Sequence, residues 1–307
     1  MRALVTGGAG FIGSHLVERL LGLGHEVRVV DDFSTGKREN VAPFVKEGGK
    51  LEVVEADIRN GWKMRELADG CEVIFHEAAI VSVPYSVEHP QETHDVNLQG
   101  TLNVLEAARH AKTRRLVFAS SAAVYGDAPG LPKHEGMLPT PIAPYGLEKL
   151  TSEHYLAIFA RLYGVETVSL RYFNVFGPRQ DPSSAYSGVI SIFAERAKRG
   201  DALTIFGDGL AYRDFVYVED VVQANLLAAE TPGISGRAFN VARGAQTSMN
   251  DLAAMIGRIA GRELVVKHEA ARAGDITESI ADIGKAQKEL GFAPKVAVEE
   301  GLRRLMA

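Results

Sequence analysis

Ala3-Leu-Val-Thr-Gly-Gly-Ala-Gly-Phe-Ile-Gly13 stands at the head of the chain, and its reading decides the fold. A short apolar run stops at Thr6. Glycines then follow at 7, 10 and 13, and Phe11 to Leu23 carries apolar residues at the three- and four-residue intervals of an amphipathic helix. Strand, glycine turn and helix in that order bring a backbone close to a pyrophosphate, because side chains at Gly7, Gly10 or Gly13 would block the approach or the helix packing. The first helical turn, Phe11-Ile12-Gly13, offers N–H groups without partners inside the helix, at its positive end.

The second strand, Glu26-Val-Arg-Val-Val30, runs into Asp31-Asp32 and then Phe33-Ser34-Thr35-Gly36. A carboxylate there is near the distance expected for holding a ribose 2′-hydroxyl, and it would repel a 2′-phosphate, so NAD is favoured over its phosphorylated form. The competing reading of Asp31 is a strand-end turn residue. Asp57-Ile58, after a third strand Leu51 to Val54, either meets the adenine or caps the next helix, and spacing does not separate the two.

Further strands are expected at Val73 to Phe75, Arg115 to Ala119 and Thr167 to Leu170, and helices at Glu92 to Ala111 and Tyr145 to Tyr163. Strands alternating with helices predict an α/β fold: a Rossmann-type, doubly wound parallel sheet. After Arg171 the pattern loosens into the Gly/Pro/Ser-rich stretch from Gly177 to Gly188, which marks a second lobe. Ala238 to Val241 is apolar enough to return to the main sheet. The organisation read from this is an NAD-binding domain over 1–171, rejoined near 214–241, and a smaller, interleaved C-terminal substrate lobe from 172–213 and 242–307.

With 307 residues, 46% of them hydrophobic and 24% charged, the chain has the composition of a globular protein. A formal charge of −5 without a block of Lys or Arg argues against nucleic-acid binding. No apolar run is long enough to span a bilayer and no signal-peptide pattern opens the chain, so no membrane is expected and a cytoplasmic location is. Cys71, the only cysteine, suits a reducing compartment and reads as a small buried residue. His76-Glu77 lacks the second histidine of a zinc-protease helix, position 80 being Ile80, and no other histidines cluster, so no metal is expected; His76 is assigned to packing beneath the cofactor.

Tyr145-Gly-Leu-Glu-Lys149 places a phenol and an ammonium one helical turn apart. A nearby ammonium favours phenolate and would move the tyrosine from about 10 toward a base useful at neutral pH. Upstream, Ser120-Ser121 ends a parallel strand where open α/β sheets bind ligands.

These motifs, with His76-Glu-Ala-Ala79, Asn97-Leu-Gln-Gly-Thr101, Ser120-Ser-Ala-Ala-Val-Tyr-Gly126 and Arg171-Tyr-Phe-Asn-Val-Phe-Gly-Pro178, come in the order and spacing of the extended short-chain dehydrogenases. Over essentially its whole length the sequence is similar to the UDP-glucose 4-epimerases. The resemblance implies that Tyr145 is the base, that Lys149 holds the ribose and tunes the tyrosine, and that Ser121 hydrogen-bonds the sugar hydroxyl. It also implies tightly bound NAD, contacted by the glycine loop, Asp31 to Gly36, Asp57, Ile58, Ala78, Ala79, Ile80, Asn97, Ser120, Tyr145, Lys149, Tyr172 and Phe173. For a UDP-sugar it implies Ser82, Ser121, Tyr145, Asn174, Gly188, Val189, Thr204, Ile205, Phe206, Arg213, Arg272, Asp275 and Ser279. Two arginines from separate segments, Arg213 and Arg272, can converge on a diphosphate.

Departures from relatives narrow the reaction. Sugar 4,6-dehydratases carry an Asp-Glu pair after the catalytic hydroxyl residue, and decarboxylases a glutamate in that segment. This chain has Ala122-Ala123, and a methyl group transfers no proton. Ser279 stands where some relatives keep a bulky aromatic, which leaves volume for a 2-N-acetyl group. The expected reaction is therefore 4-epimerisation of UDP-glucose and UDP-galactose, and of their N-acetylhexosamine counterparts, through a 4-keto sugar. The alternatives are a uronate 4-epimerase or other nucleotide-sugar oxidoreductase, and a non-catalytic NAD- or nucleotide-sugar-binding regulator. Helices Glu92 to Ala111 and Tyr145 to Tyr163 resemble those that pair between subunits in relatives, which implies a homodimer.

Overall fold

The computed structural model describes residues 1–46, 48–181, 188–271 and 278–307. Seven parallel strands form one sheet. From edge to edge they are Leu51–Glu55, Glu26–Asp31, Arg2–Thr6, Val73–His76, Arg115–Ser121, Glu166–Tyr172 and Arg237–Val241. The four strands from Arg2–Thr6 to Glu166–Tyr172 are nearly continuous in buried residues, as the centre of a sheet covered on both faces requires, while the edge strand Leu51–Glu55 buries only Leu51. The order of connection reverses between Arg2–Thr6 and Val73–His76, so a crevice opens outside their carboxyl ends. Arg237–Val241 lies beside Glu166–Tyr172, in register from Arg237 opposite Val168 to Val241 opposite Tyr172.

Helices Phe11–Gly22 and Val218–Glu230 cover one face over a core that includes Leu16, Leu20, Phe75, Val117 and Phe239. Gly61–Ala68, Gly100–Ala111 and Pro144–Tyr163 cover the other over Leu4, Ile74, Leu116, Phe118 and Phe159. Alternation of side chains along each strand separates these two cores.

The helix expected from Glu92 to Ala111 is present but not α-helical throughout. It starts at Pro90, whose missing N–H costs nothing in a first turn, and Asp95–Gln99 is a π-helical turn before the α-helix resumes at Gly100. The widened turn places Asn97, which is 1% exposed, where its amide brackets Ile80: Oδ1 accepts from Ile80 N at 2.8 Å and Nδ2 donates to Ile80 O at 3.0 Å.

The rest of the chain builds a lobe over the crevice from short pairs. Asn174–Phe176 pairs with Phe215–Tyr217, Leu203–Phe206 with Val266–Glu269, and Tyr212–Arg213 with Thr247–Ser248. Helices Val189–Arg199, Met249–Ala260 and Val298–Met306 enclose its own core around Phe176, Phe193, Ile205 and Ile256. Among the described residues no helix is long and apolar enough to cross a membrane.

Candidate active site

The glycine loop is a cradle that side chains would fill. Gly7 has φ +66°, and a Cβ there would lie 2.7 Å from Ala78 N; one on Gly13 would lie 2.2 Å from Gly7 O. Gly10 is the residue before the helix Phe11–Gly22, no side chain caps that end, and its first turn holds no acid, so the N–H groups of Phe11, Ile12 and Gly13 meet no competing carboxylate. Asp31 fills its reading as a strand-end turn residue. Its Oδ2 accepts from Ala9 N and its Oδ1 from Phe33 N, each at 2.9 Å, which ties the second strand to the loop, and a Cβ on Gly36 would stand 2.5 Å from Oδ1. Burial pushes the Asp31 carboxyl up, yet its two oxygens keep further lone pairs for hydroxyl donors. Asp32 accepts from Ser34 N and Oγ, Thr35 is exposed, and Phe33 takes a left-handed φ of +57° with the Arg38 guanidinium 4.0 Å over its ring. These residues fit a dinucleotide.

Asp57 does not cap the following helix. Asn60 does, accepting from Lys63 N, while Asp57 binds Arg59 Nε at 2.8 Å and is lowered by it. The Ile58 side chain is in the core against Gly100, so its contribution to a ligand is limited to its backbone. His76 donates or accepts between Thr6 Oγ1 at 2.7 Å and Thr101 Oγ1 at 2.9 Å, and burial with the nearby Lys149 charge brings it down to about 3, so it is neutral.

Ser121, Tyr145 and Lys149 meet at the end of strand Arg115–Ser121. Ser121 is close enough to the Tyr145 phenol to pull it down, and Ser121 Oγ accepts from Ala123 N at 3.1 Å. Ser86 Oγ accepts from Tyr145 N at 3.2 Å. The structure does not show Lys149 acidifying Tyr145. Lys149 Nζ donates to Ala119 O at 2.7 Å and sits 5.9 Å from the tyrosine ring centre, while burial pushes the phenol up to about 12, with Glu148 adding in the same direction. Desolvation outweighs a charge at that distance. Lys149 itself is brought down to about 8 by burial.

Sequence reading missed the polar frame behind this triad. Glu148, between the two catalytic positions, accepts from Thr93 Oγ1 at 2.9 Å and Asn97 Nδ2 at 2.8 Å, locking the π turn to the catalytic helix. Glu153, one turn beyond Lys149, pairs with Arg171 at 2.7 Å and also receives the Ser120 hydroxyl. Arg171 donates to Tyr125 Oη at 2.9 Å, and Tyr125 donates to Asn240 Oδ1 at 2.6 Å. The available signal was the spacing: 145, 148, 149, 152 and 153 form one buried stripe of a helix on which charged residues have to be paired.

A cleft of about 520 Å³ opens from Ser121 toward the lobe, with Phe173, Asn174, Arg213 and Ser279 also on its walls. Asp214, fully buried and overlooked in sequence, holds that wall together: it accepts from Arg243 N at 2.9 Å, Gly244 N at 3.0 Å and Ala281 N at 3.1 Å. Asn174 Nδ2 donates to Asp214 O at 3.3 Å, and Ser279 N to Tyr212 O at 3.2 Å. The other expected sugar residues among those described are not on the walls of this cleft. Ser82 spends its hydroxyl as the N-cap of Val83–Glu88, accepting from Tyr85 N. Gly188 and Val189 begin a helix of the lobe, Ile205 is core, Thr204 Oγ1 accepts from Arg196 at 2.9 Å, and Phe206 ends the strand beside them. Arg272 and Asp275 lie outside the described residues.

Residues 3–242 match the model of the NAD dependent epimerase/dehydratase family. The chain belongs to this family. It is 42% identical over 306 residues to a UDP-glucose 4-epimerase of Mycolicibacterium smegmatis, covering 99% of this chain and 97% of the relative. Among solved structures, a UDP-glucose 4-epimerase of Thermotoga maritima with UDP-glucose is similar at 41% identity and a TM-score of 0.92, covering 100% of this chain and 97% of that one. A UDP-N-acetylglucosamine 4-epimerase of Methanobrevibacter ruminantium with UDP-N-acetylmuramic acid gives 36% identity and a TM-score of 0.94, covering 99% and 96%.

Proposed function

We propose that this family member is an NAD-dependent UDP-hexose 4-epimerase that also accepts UDP-N-acetylhexosamines. The observation that carries the reading is a cleft lined by Ser121, Asn174, Arg213 and Ser279, with only methyl groups at Ala122 and Ala123, and with Tyr145 beside Ser121 and Lys149 5.9 Å from the tyrosine ring centre. With the positive ring of bound NAD added to the Lys149 charge, the Tyr145 phenol would give up its proton, and the phenolate would take the proton of the sugar 4-hydroxyl and return it at the end of the cycle. Lys149, fixed by Ala119 O, keeps a positive charge at the ribose end of the pocket. Bound NAD supplies reversible oxidation at C4. The resulting 4-keto sugar turns over while its nucleotide stays anchored, which asks for firm contacts at the diphosphate and few at the hexose. Arg213 and Asn174 supply the former, while small residues, Ala122, Ala123 and Ser279, face the latter.

A homodimer is supported by Leu147, Tyr155, Ile158 and Leu162, between 36% and 60% exposed at helical spacing along one face of Pro144–Tyr163. A cytoplasmic location accords with the single, buried Cys71. The test is incubation of the purified protein, without added cofactor, with UDP-glucose, UDP-N-acetylglucosamine and UDP-glucuronate, followed by separation of the products. Conversion of the first two to their 4-epimers is expected. Turnover of the uronate alone would replace the reading with a uronate epimerase, and turnover of none with a non-catalytic binding protein.

A further inference from the structure

Glu77 is a half-buried acid that the cycle above does not use. It follows His76 at the carboxyl end of its strand, its N–H donates to Thr6 O at 3.2 Å, and its carbonyl carbon lies 3.0 Å from where a Gly7 Cβ would be. It thus sits on the floor of the crevice between the glycine loop and the catalytic helix. The buried acids around the crevice have strong partners: Glu153 has Arg171, Glu148 has Thr93 and Asn97, and Asp31 and Asp214 have backbone N–H groups. Glu77 receives one neutral donor among the described residues, the Tyr172 hydroxyl at 3.0 Å, which Asn225 Nδ2 fixes at 2.7 Å. No described cation comes within ion-pair distance of it.

A carboxylate kept out of water without a cation is unstable in the charged form. Burial accordingly pushes Glu77 up to about 7, against the smaller opposing pulls of Tyr172 and Lys149. Those two are the titratable groups that face it, and helix Val218–Glu230 presents the neutral Asn225. Such a group is suited to a ligand that brings its own positive charge. Resting on the reading of the crevice as an NAD site, we propose that Glu77 is the counter-ion of the oxidised nicotinamide: it gives its proton to solvent when NAD binds and makes the pocket prefer the oxidised dinucleotide to the reduced one. For an epimerase this preference has a use, since a cofactor left reduced after the keto sugar escapes ends the catalytic cycle.

The experiment is calorimetric titration of cofactor-stripped protein with NAD and with NADH at pH 7, in two buffers of different ionisation enthalpy. The wild type is expected to release about half a proton on binding NAD, since a group at about 7 is half protonated there, and none on binding NADH. Glu77→Gln is expected to abolish that difference and to lower the preference for NAD over NADH roughly tenfold. An unchanged proton count and preference in Glu77→Gln would overturn the assignment. So would loss of the proton in Tyr145→Phe with its retention in Glu77→Gln, which would trace it to the phenol. Binding of neither dinucleotide to the wild type would overturn the cofactor reading itself. Should Glu77→Gln not fold, the wild type still decides: its NAD/NADH affinity ratio is expected to rise as pH passes up through 7, and a flat ratio overturns the assignment.

Discussion

The two walls of the cleft are built by different means. On the cofactor side, seven parallel strands carry Ser121 and the floor of the crevice, and the buried acids of the catalytic helix are held side chain to side chain, Glu153 by Arg171 and Glu148 by Thr93 and Asn97. On the sugar side, two-stranded pairs and loops are gathered by carboxylates that accept backbone N–H groups: Asp214 from residues 243, 244 and 281, and Asp220 from Lys295 and Val296. A rigid wall fixes a proton donor to a fraction of an ångström, which acid–base chemistry needs. A stitched wall can grip a nucleotide at a few points and leave space beside them, which rotation of a ketone needs.

The contrast can be broken or sharpened by substitution. The largest effect belongs to Tyr145→Phe, which is expected to lower kcat by about 10³-fold with the dinucleotide still bound, as turnover and absorbance of the denatured supernatant would show. Ser279→Tyr, on the stitched wall, is expected to cost about a hundredfold in kcat/KM for UDP-N-acetylglucosamine and little for UDP-glucose. Equal losses on both substrates would mean that this position does not select the 2-substituent. Asp214→Ala strands three or more buried N–H groups, and a loss of about 3 kcal/mol in denaturant unfolding is expected, with KM for the UDP-sugar raised more than kcat is lowered.

Acid should strike the rigid wall through His76. Its folded value, about 3, lies below the unfolded 6.5, so its contribution is complete above 6.5 and is lost as pH falls toward 3. From this group alone, stability drops by on the order of 2 kcal/mol between pH 7 and pH 5. The decline in melting temperature over that interval should be shallower in His76→Gln. Tyr125→Phe gives the smallest expected effect and tests the joint between the walls, because its hydroxyl links Arg171 to Asn240, whose amide holds Lys133 O and Asp282 O. A drop in kcat of roughly fivefold, with the melting temperature within a few degrees, would show the walls to be mechanically linked. A stability loss with normal kcat would show that they are not.

Legibility in the sequence followed the same division. The glycine loop, the six strands up to Glu166–Tyr172 and the catalytic helix could be read because periodicity and turn chemistry are local properties. The π turn at Asp95–Gln99 could not, since it arises where Asn97 reaches Ile80 and Glu148, residues distant in sequence. That Ser82 caps a helix and that Asp57 turns to Arg59 and not to the next helix end could not be read either. Each of these depends on which donor arrives first in space.

By itself, the sequence determined where strands and helices alternate, that a glycine turn meets the helix Phe11–Gly22, and that a serine, a tyrosine and a lysine stand at epimerase spacing, because these follow from residue type and interval. Only the tertiary structure decided the ionisation of the site. Tyr145 held near 12, Lys149 near 8 and Glu77 near 7 all result from how much water the surrounding chain removes, and removal of water is a property of the packed whole.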